Sequence, residues 1–219
     1  MTGNKLSKEK LNFSLAKIAK VLNKNKFDKW FIAYGTLLGI VRSKSCIDGD
    51  DDIDIVCDLN DYEKLKDILV KEGFELDFGH GINESRLIIK TRESSDLASI
   101  DFYMTVVDEN GNFNDMWEKV IWSNCYLKNS KNFNEINWRD TKLNLPNNYF
   151  KKLKKRYGFF WRIPQKNKGN RTYKHSKLIK LFLNIHRSMP LKVRSEMKSF
   201  IIKKNFLYKF LKVKDSSRI

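Results

Sequence analysis

The feature that most restricts this chain is the run Asp52-Ile53-Asp54-Ile55-Val56-Cys57, in which acids alternate with aliphatic residues before the run turns apolar. A two-residue period is that of a β-strand, whose successive side chains point to opposite faces. One face then carries Asp52 and Asp54 together, and the other carries Ile53 and Ile55. An aliphatic face of this kind has to be covered by a second layer. The same logic returns in Ser99–Val107, where Asp101 stands between Ile100 and Phe102. A carboxylate in so apolar a strand is costly unless it meets a partner. Two acid-bearing strands of one sheet, covered by helices, satisfy both runs.

The segments around them fit that frame. Ser7 is placed to cap a helix running to about Asn25, with Leu11, Leu15, Ile18, Ala19 and Leu22 on one face. Trp30–Tyr34 reads as a short buried strand ending at Gly35-Thr36, followed by a short helix over Leu37–Arg42. Asn60–Glu72 is an amphipathic helix with Tyr62, Leu65, Ile68 and Leu69 inward, closed by Gly73. Further strands are expected at Phe74–Phe78 and Arg86–Thr91, a turn at Glu109–Asn112, and a hairpin over Asn134–Leu145 around Arg139-Asp140. Asn148 is placed to cap a helix to about Tyr157, which Gly158 ends. The fold class these elements define is α/β (α+β), with a mixed central sheet flanked by helices.

Charge divides the chain. Residues 151–219 hold 22 Lys/Arg against two acids, Glu196 and Asp215, whereas the first 150 residues are close to neutral. From Ser176 the sequence reads as two basic amphipathic helices broken at Pro190. The expected organisation is a catalytic domain over 1–165 and a basic amphipathic helical tail over 166–219. Residues 174–214, with Leu178, Phe182, Val193 and Phe200 among lysines, suit an anionic membrane surface. Packing of that apolar stripe on the core is the plainer alternative, and nucleic acid is the least favoured partner. Hydrophobic content of 41% excludes a disordered chain. Cys46, Cys57 and Cys125 form an odd, scattered set that argues against a disulfide framework. The N-terminal residues lack the apolar run of a signal peptide, and no window approaches a transmembrane length. The expected location is cytoplasmic, peripheral on the inner membrane face.

The chemistry concentrates in Ala33–Cys57. Asp52 and Asp54 at one strand end can share divalent cations roughly 3.5–4 Å apart, the arrangement that clamps attacking and leaving oxygens in phosphoryl transfer. Mg²⁺, or Mn²⁺ in its place, suits such oxygen ligands. Asp101 is the candidate third carboxylate, as metal ligand or as general base toward an acceptor hydroxyl. Gly35 and Thr36, at a strand-to-helix junction, can let a phosphate approach the backbone, and Arg42 can add a cation for it. Taken singly, the Asp48–Asp54 run also reads as a solvated loop, and Asp101 as a strand-edge residue in an ion pair. The joint order of Gly-Thr, Asp-x-Asp and a later strand Asp favours the metal site. His80, His175 and His186 show no metal or triad spacing.

These residues resemble the LicD/fukutin family of the nucleotidyltransferase superfamily. The resemblance rests on Tyr34-Gly35-Thr36-Leu37-Leu38-Gly39, Arg42, Asp50-Asp51-Asp52-Ile53-Asp54-Ile55 and Ile100-Asp101-Phe102. It continues through Leu145-Pro146-Asn147-Asn148-Tyr149, Leu153, Tyr157-Gly158 and Trp161–Pro164. It implies a nucleotidyltransferase fold and a Mg²⁺-dependent, phosphodiester-forming phosphotransferase. The reaction implied moves phosphocholine or a polyol phosphate from a CDP-linked donor to a hydroxyl of a cell-surface or lipid-linked glycan, as in lipopolysaccharide or capsule biosynthesis. Asp52 and Asp54 become metal ligands, Asp101 the third carboxylate, and Gly35-Thr36 the phosphate-holding turn. Tyr149, Trp161 and Arg162 are candidates for the donor or acceptor pocket, although Tyr149 and Trp161 equally suit packing of the last helix. The chain departs from the family at Asp48-Gly49, where proline and tryptophan are usual. Two alternatives share the same residues: transfer of a nucleotidyl group from an NTP, and a degenerate, non-enzymatic binding module.

Overall fold

In the computed structural model, which describes residues 5–77 and 86–164, the two acid-bearing strands lie side by side. Strand β2 (Ile53–Asp58) pairs in parallel with β4 (Ile100–Val107), setting Asp54 opposite Asp101 and Ile55 opposite Phe102. Every residue of β2 is buried, as expected of a strand covered on both faces. Strand β1 (Trp30–Ile32) runs antiparallel to β2, and β3 (Ile88–Lys90) antiparallel to β4, which brings Lys90 opposite Asp101. A hairpin of β5 (Phe113–Asp115) and β6 (Val120–Trp122) extends the sheet from the end of β4. A second, two-stranded sheet joins β7 (Asn134–Trp138) to β8 (Thr141–Leu145). The α/β class with a mixed central sheet is borne out.

Helix α1 (Lys8–Lys24) starts where the sequence directs: Ser7 Oγ accepts from Lys10 N at 3.3 Å, and Leu11, Leu15, Ile18, Ala19 and Leu22 are all buried. Its polar residues do further positioning. The Asn12 amide donates to Ser45 Oγ and accepts from Cys46 N, both at 2.8 Å, pinning the loop that leads into β2. Ser14 Oγ accepts from Ala98 N at 2.8 Å, pinning the loop that leads into β4. One helix therefore fixes the approach to both acid-bearing strands. Helix α3 (Tyr62–Lys71), entered through a 3₁₀ turn at Leu59–Asp61, buries Tyr62, Leu65, Ile68 and Leu69 as expected.

Several expectations are corrected. Strand β1 stops at Ile32, and helix α2 (Tyr34–Ser43) begins at Tyr34, so Gly35 and Thr36 lie inside its first turn. The chain turns early because Tyr34 adopts φ +42° and Leu37 N already donates to Ala33 O at 2.8 Å. Residues 74–77 form no strand; Leu76 makes an isolated bridge to Thr91, and Phe78 lies outside the described residues. The β5–β6 hairpin was not legible, because its turn lacks an Asn-Gly signal. It is built by Asp115 Oδ1, which accepts from Trp117 N at 2.9 Å and Glu118 N at 3.0 Å. Asn148 precedes helix α4 (Tyr149–Tyr157) but takes φ +54°, and its side chain makes no capping bond. Gly158, at φ +85°, ends that helix as expected. The boundary at 165, the tail helices from Ser176, His80, His175 and His186 all lie outside the described residues.

Among the described residues no helix is long and apolar enough to cross a membrane. All three cysteines are free thiols and buried. Burial pushes the Cys46 and Cys125 thiols up to about 12 and holds Cys57 well above its ordinary value. Reactivity follows the thiolate. The native protein is therefore expected to resist a disulfide reagent such as DTNB at neutral pH and to release three equivalents once unfolded. Rapid labelling of the native protein would contradict this burial.

Candidate active site

The site is built around Asp54. Its Oδ2 accepts from Gly35 N at 3.0 Å, its Oδ1 accepts from Tyr103 OH at 3.1 Å, and its own N donates to Thr36 Oγ1 at 2.9 Å. Gly35 thus orients the carboxylate directly, and Thr36 fixes the backbone that carries it. A side chain at Gly35 would force Asp50 aside: a Cβ there would stand 2.6 Å from Asp50 Oδ2 and in ordinary contact, 3.5 Å, with Asp54 Oδ2. We expect Gly35→Ala to lower turnover by about tenfold or more by pushing the Asp50 carboxylate, which repels Asp54, out of its place, since misplacing a group at a reacting centre by a fraction of a bond length is enough. Circular dichroism should stay native, because the obstructing atom is the movable end of Asp50. Unchanged turnover would show that the close approach is incidental.

Asp101 faces Asp54 across the parallel pair and Lys90 across the antiparallel one. The Lys90 ammonium bonds Asp101 Oδ1 and stands 3.6 Å from Asp52 Oδ2. Asp52 lies just before β2, half-buried, whereas Asp54 and Asp101 are buried. Burial, then repulsion from Asp101 and Asp51, raises Asp52 to about 8. Burial and then Asp52 and Asp50 hold Asp54 well above the carboxylate range. Asp101 is also raised, by burial, against the pull of Lys90. Asp50 rises to about 6 through burial and Asp51. Acids that repel one another in a buried place are relieved by a cation. In chemical type, hard carboxylate oxygens are the ligands that Mg²⁺ or Mn²⁺ takes. Among the described residues no three such side chains already converge on one cation position, and Lys90 lies between Asp52 and Asp101.

Four further residues shape the site: Lys90, Tyr103 and Arg156, which no motif marks, and Tyr34, which opens the Tyr34–Gly39 motif. Tyr34 is buried with left-handed backbone, a conformation that costs a bulky residue about 1–3 kcal/mol. Its surroundings hold it there. The hydroxyl donates to Asp115 Oδ2 at 2.5 Å and accepts from Trp122 Nε1 at 3.3 Å. The ring meets Tyr103 and Trp122 edge-on at 5.0 and 5.1 Å, and the Arg156 guanidinium lies 4.2 Å from its centroid. The last turn of α4 thereby packs on the tyrosine that meets Tyr103, the donor to Asp54. Burial first, then Arg156 in the opposite sense and the Asp54 charge, leaves Tyr157 raised to about 12. Lys90 was within reach of sequence reasoning, since a strand over 86–91 beside β4 places a lysine near Asp101. Tyr34 belongs to a motif, but nothing in the sequence signals its backbone.

The remaining candidates make no hydrogen bond or ion pair with these carboxylates among the described residues. Arg42, in the last turn of α2, has a buried Nε without a hydrogen-bond partner among the described residues. Tyr149, Trp161 and Arg162 gather around Phe150. Tyr149 stacks on it at 4.4 Å, Trp161 lies 6.1 Å away, and the exposed Arg162 stands 5.4 Å over its ring. Trp161 is buried in the hydrophobic core.

Acids on neighbouring strands of a mixed sheet, faced by a glycine turn at a strand-to-helix junction, define a transferase domain of the nucleotidyltransferase type. The chain belongs to the LicD/FKTN/FKRP nucleotidyltransferase-domain family, whose model matches residues 28–166. The crystal structure of the lincosamide antibiotic adenylyltransferase LnuA with lincomycin bound is similar over 85% of this chain and 100% of that one. That similarity has 13% identity and a TM-score of 0.46. No curated protein matches the chain.

Proposed function

We propose that this protein transfers a phosphocholine- or polyol-phosphate-type group from a CDP-linked donor to a hydroxyl of a cell-surface glycan. The observation that carries this reading is the register that sets Asp54 directly opposite Asp101, beside Asp52 and the Gly35 turn. Asp52, Asp54 and Asp101 would hold Mg²⁺, or Mn²⁺, which when bound would neutralise the donor pyrophosphate. Asp101, raised by burial, is suited to take the proton of the acceptor hydroxyl. The hydroxyl oxygen then attacks the transferred phosphorus, the bond from that phosphorus to the bridging oxygen breaks, and CMP leaves with that oxygen. Gly35 and Thr36 keep Asp54 aimed during the transfer and lie where the donor phosphates would approach. Tyr149, Trp161, Arg162 and Arg42 are proposed to contact the donor or acceptor. Residues 174–214 would seat the enzyme on an anionic inner membrane face, which co-sedimentation with anionic and neutral liposomes tests directly.

The deciding experiment incubates the purified protein and a membrane-derived glycan fraction with labelled CDP-choline, CDP-ribitol, CDP-glycerol or each of the four nucleoside triphosphates. Metal-dependent movement of a phosphate-linked head group, with release of CMP, is the expected result. Movement of a nucleotidyl group would replace this reading with nucleotidyl transfer. Failure to bind or turn over any member of the panel would leave a non-enzymatic binding module.

A further inference from the structure

A polar cleft, none of whose lining residues is one of the carboxylates, lies between the first turns of α4 and the turn after β6. It encloses about 200 Å³ and is lined by Ser123, Asn124, Asn148, Lys151, Lys152 and Lys155. Lys152 is the unusual member. It is 6% exposed, a burial that lysines seldom reach without a paired acid. Its ammonium donates to Ser123 O at 2.6 Å, which uses one of its three N–H bonds. Among the described residues no carboxylate stands within ion-pair distance of Lys151, Lys152 or Lys155. The side chains of Asn124 and Asn148 likewise form no hydrogen bond among the described residues. Helix α4 itself contains no acid at all.

We propose that this cleft binds a phosphoryl group, as the phosphate of a soluble ester or of a lipid headgroup. A phosphate has the charge these lysines lack and oxygens enough to accept from several donors at once. Lys152 would supply the buried contact, Asn124 and Asn148 neutral donors, and Lys151 and Lys155 the exposed rim. Burial lowers the pKa of Lys152, so an anion in the cleft would restore its preference for the charged form. Position gives the cleft a use. Lys152 and Arg156 are four apart on α4, hence neighbours on one face of the helix, and Arg156 covers Tyr34 beside Asp54. A phosphate held here would lie about one helical turn from the residues that frame the carboxylates. The proposal rests on the cleft alone and stands whichever group the carboxylates transfer.

The test is a titration of the full chain with inorganic phosphate, following backbone amide resonances by ¹⁵N–¹H spectroscopy. Saturable shifts are expected at Ser123, Asn124 and Asn148–Lys152. The double substitution Lys151→Ala and Lys155→Ala, confined to exposed positions, should weaken binding about tenfold through the loss of two charge-assisted contacts. Lys152→Met should weaken it further if the variant folds, and the rim variant decides the matter if it does not. Asp54→Asn should leave these shifts unchanged. Phosphatidylcholine vesicles with and without phosphatidic acid separate the two sources. Phosphatidic acid-dependent binding that the rim substitutions weaken assigns the lipid headgroup, and phosphate shifts without it assign a soluble ester. No shift at these amides, or shifts that the rim substitutions do not alter, would overturn the proposal.

Discussion

Asp54→Asn is expected to reduce donor turnover by at least about a thousandfold, the scale on which preorganised charge acts at a reacting centre, while the protein unfolds at the same temperature or a higher one. The two halves of that expectation have different causes. Asparagine removes the charge that would hold the metal and face the donor. It can still place its carbonyl on Gly35 N–H and its amide on Tyr103, whose hydroxyl can accept as well as donate. The native hydrogen bonds are therefore kept while a buried charge disappears. Because Asp54 is held well above its ordinary value in the fold, the native state keeps its proton more readily than the unfolded chain does. Its contribution to stability is thus most favourable at low pH and falls as pH rises above the unfolded carboxylate value near about 4. Asp52, raised to about 8, extends the same decline through neutrality. The asparagine variant should show a flatter fall in melting temperature between acid and neutral pH. Turnover within about tenfold of the parent, or a clear loss of stability, would remove Asp54 from the centre of the site.

Gly39→Ala is expected to destabilise the protein by about 2 kcal/mol, as overpacking of a tight contact does, and to lower the melting temperature by roughly 4–8 °C. A Cβ at this position would meet Ser45 O at 2.6 Å and Ile47 N at 3.0 Å. Both atoms are backbone, and their loop cannot easily retreat. Asn12 of α1 holds it at Ser45 and Cys46, and Trp138 Nε1 donates to Lys44 O at 2.9 Å from the other side. Helix α2 would have to move instead, taking Gly35 and Thr36 away from Asp54. Turnover should fall along with stability, and thermal melts alongside donor assays would show both. A variant as stable as the parent would mean that the loop yields more easily than its three anchors suggest.

What the sequence disclosed, it disclosed through period and chemistry. Asp52, Asp54 and Asp101 were legible because acids in otherwise apolar strands have few inexpensive explanations. The α1 face, the β7–β8 hairpin and Gly158 were legible because their signals are local. Interactions between distant segments were not. Asn12 and Ser14 look like ordinary polar residues on a helix until the loops they hold are seen 34 and 84 residues away. Tyr34 carries no mark of its left-handed backbone, which depends on Asp115 and Trp122 in a hairpin that itself lacks a familiar turn pair. The sequence presents the turn at Gly35 as a place for phosphate, and its bonds to Asp54 emerge only when α2 and β2 are seen together. Propensity located the acids, and tertiary contacts decided how they are held.

The pairing of β2 with β4 has a consequence for how this enzyme can be taken apart. Asp54 and Asp101 sit opposite each other because two strands hydrogen-bond in parallel, and their separation is that of adjacent strands, about 4.8 Å between backbones. The chain that joins them, through α3 and β3, does not set that distance. A break within residues 78–85 would leave one fragment with Asp52 and Asp54 and another with Asp101 and Lys90. Neither half alone would hold a complete carboxylate set, and the sheet edge would be the surface that reunites them. The fold therefore suits a split reporter, in which the proposed activity is expected only when two partners fused to the halves bring them together.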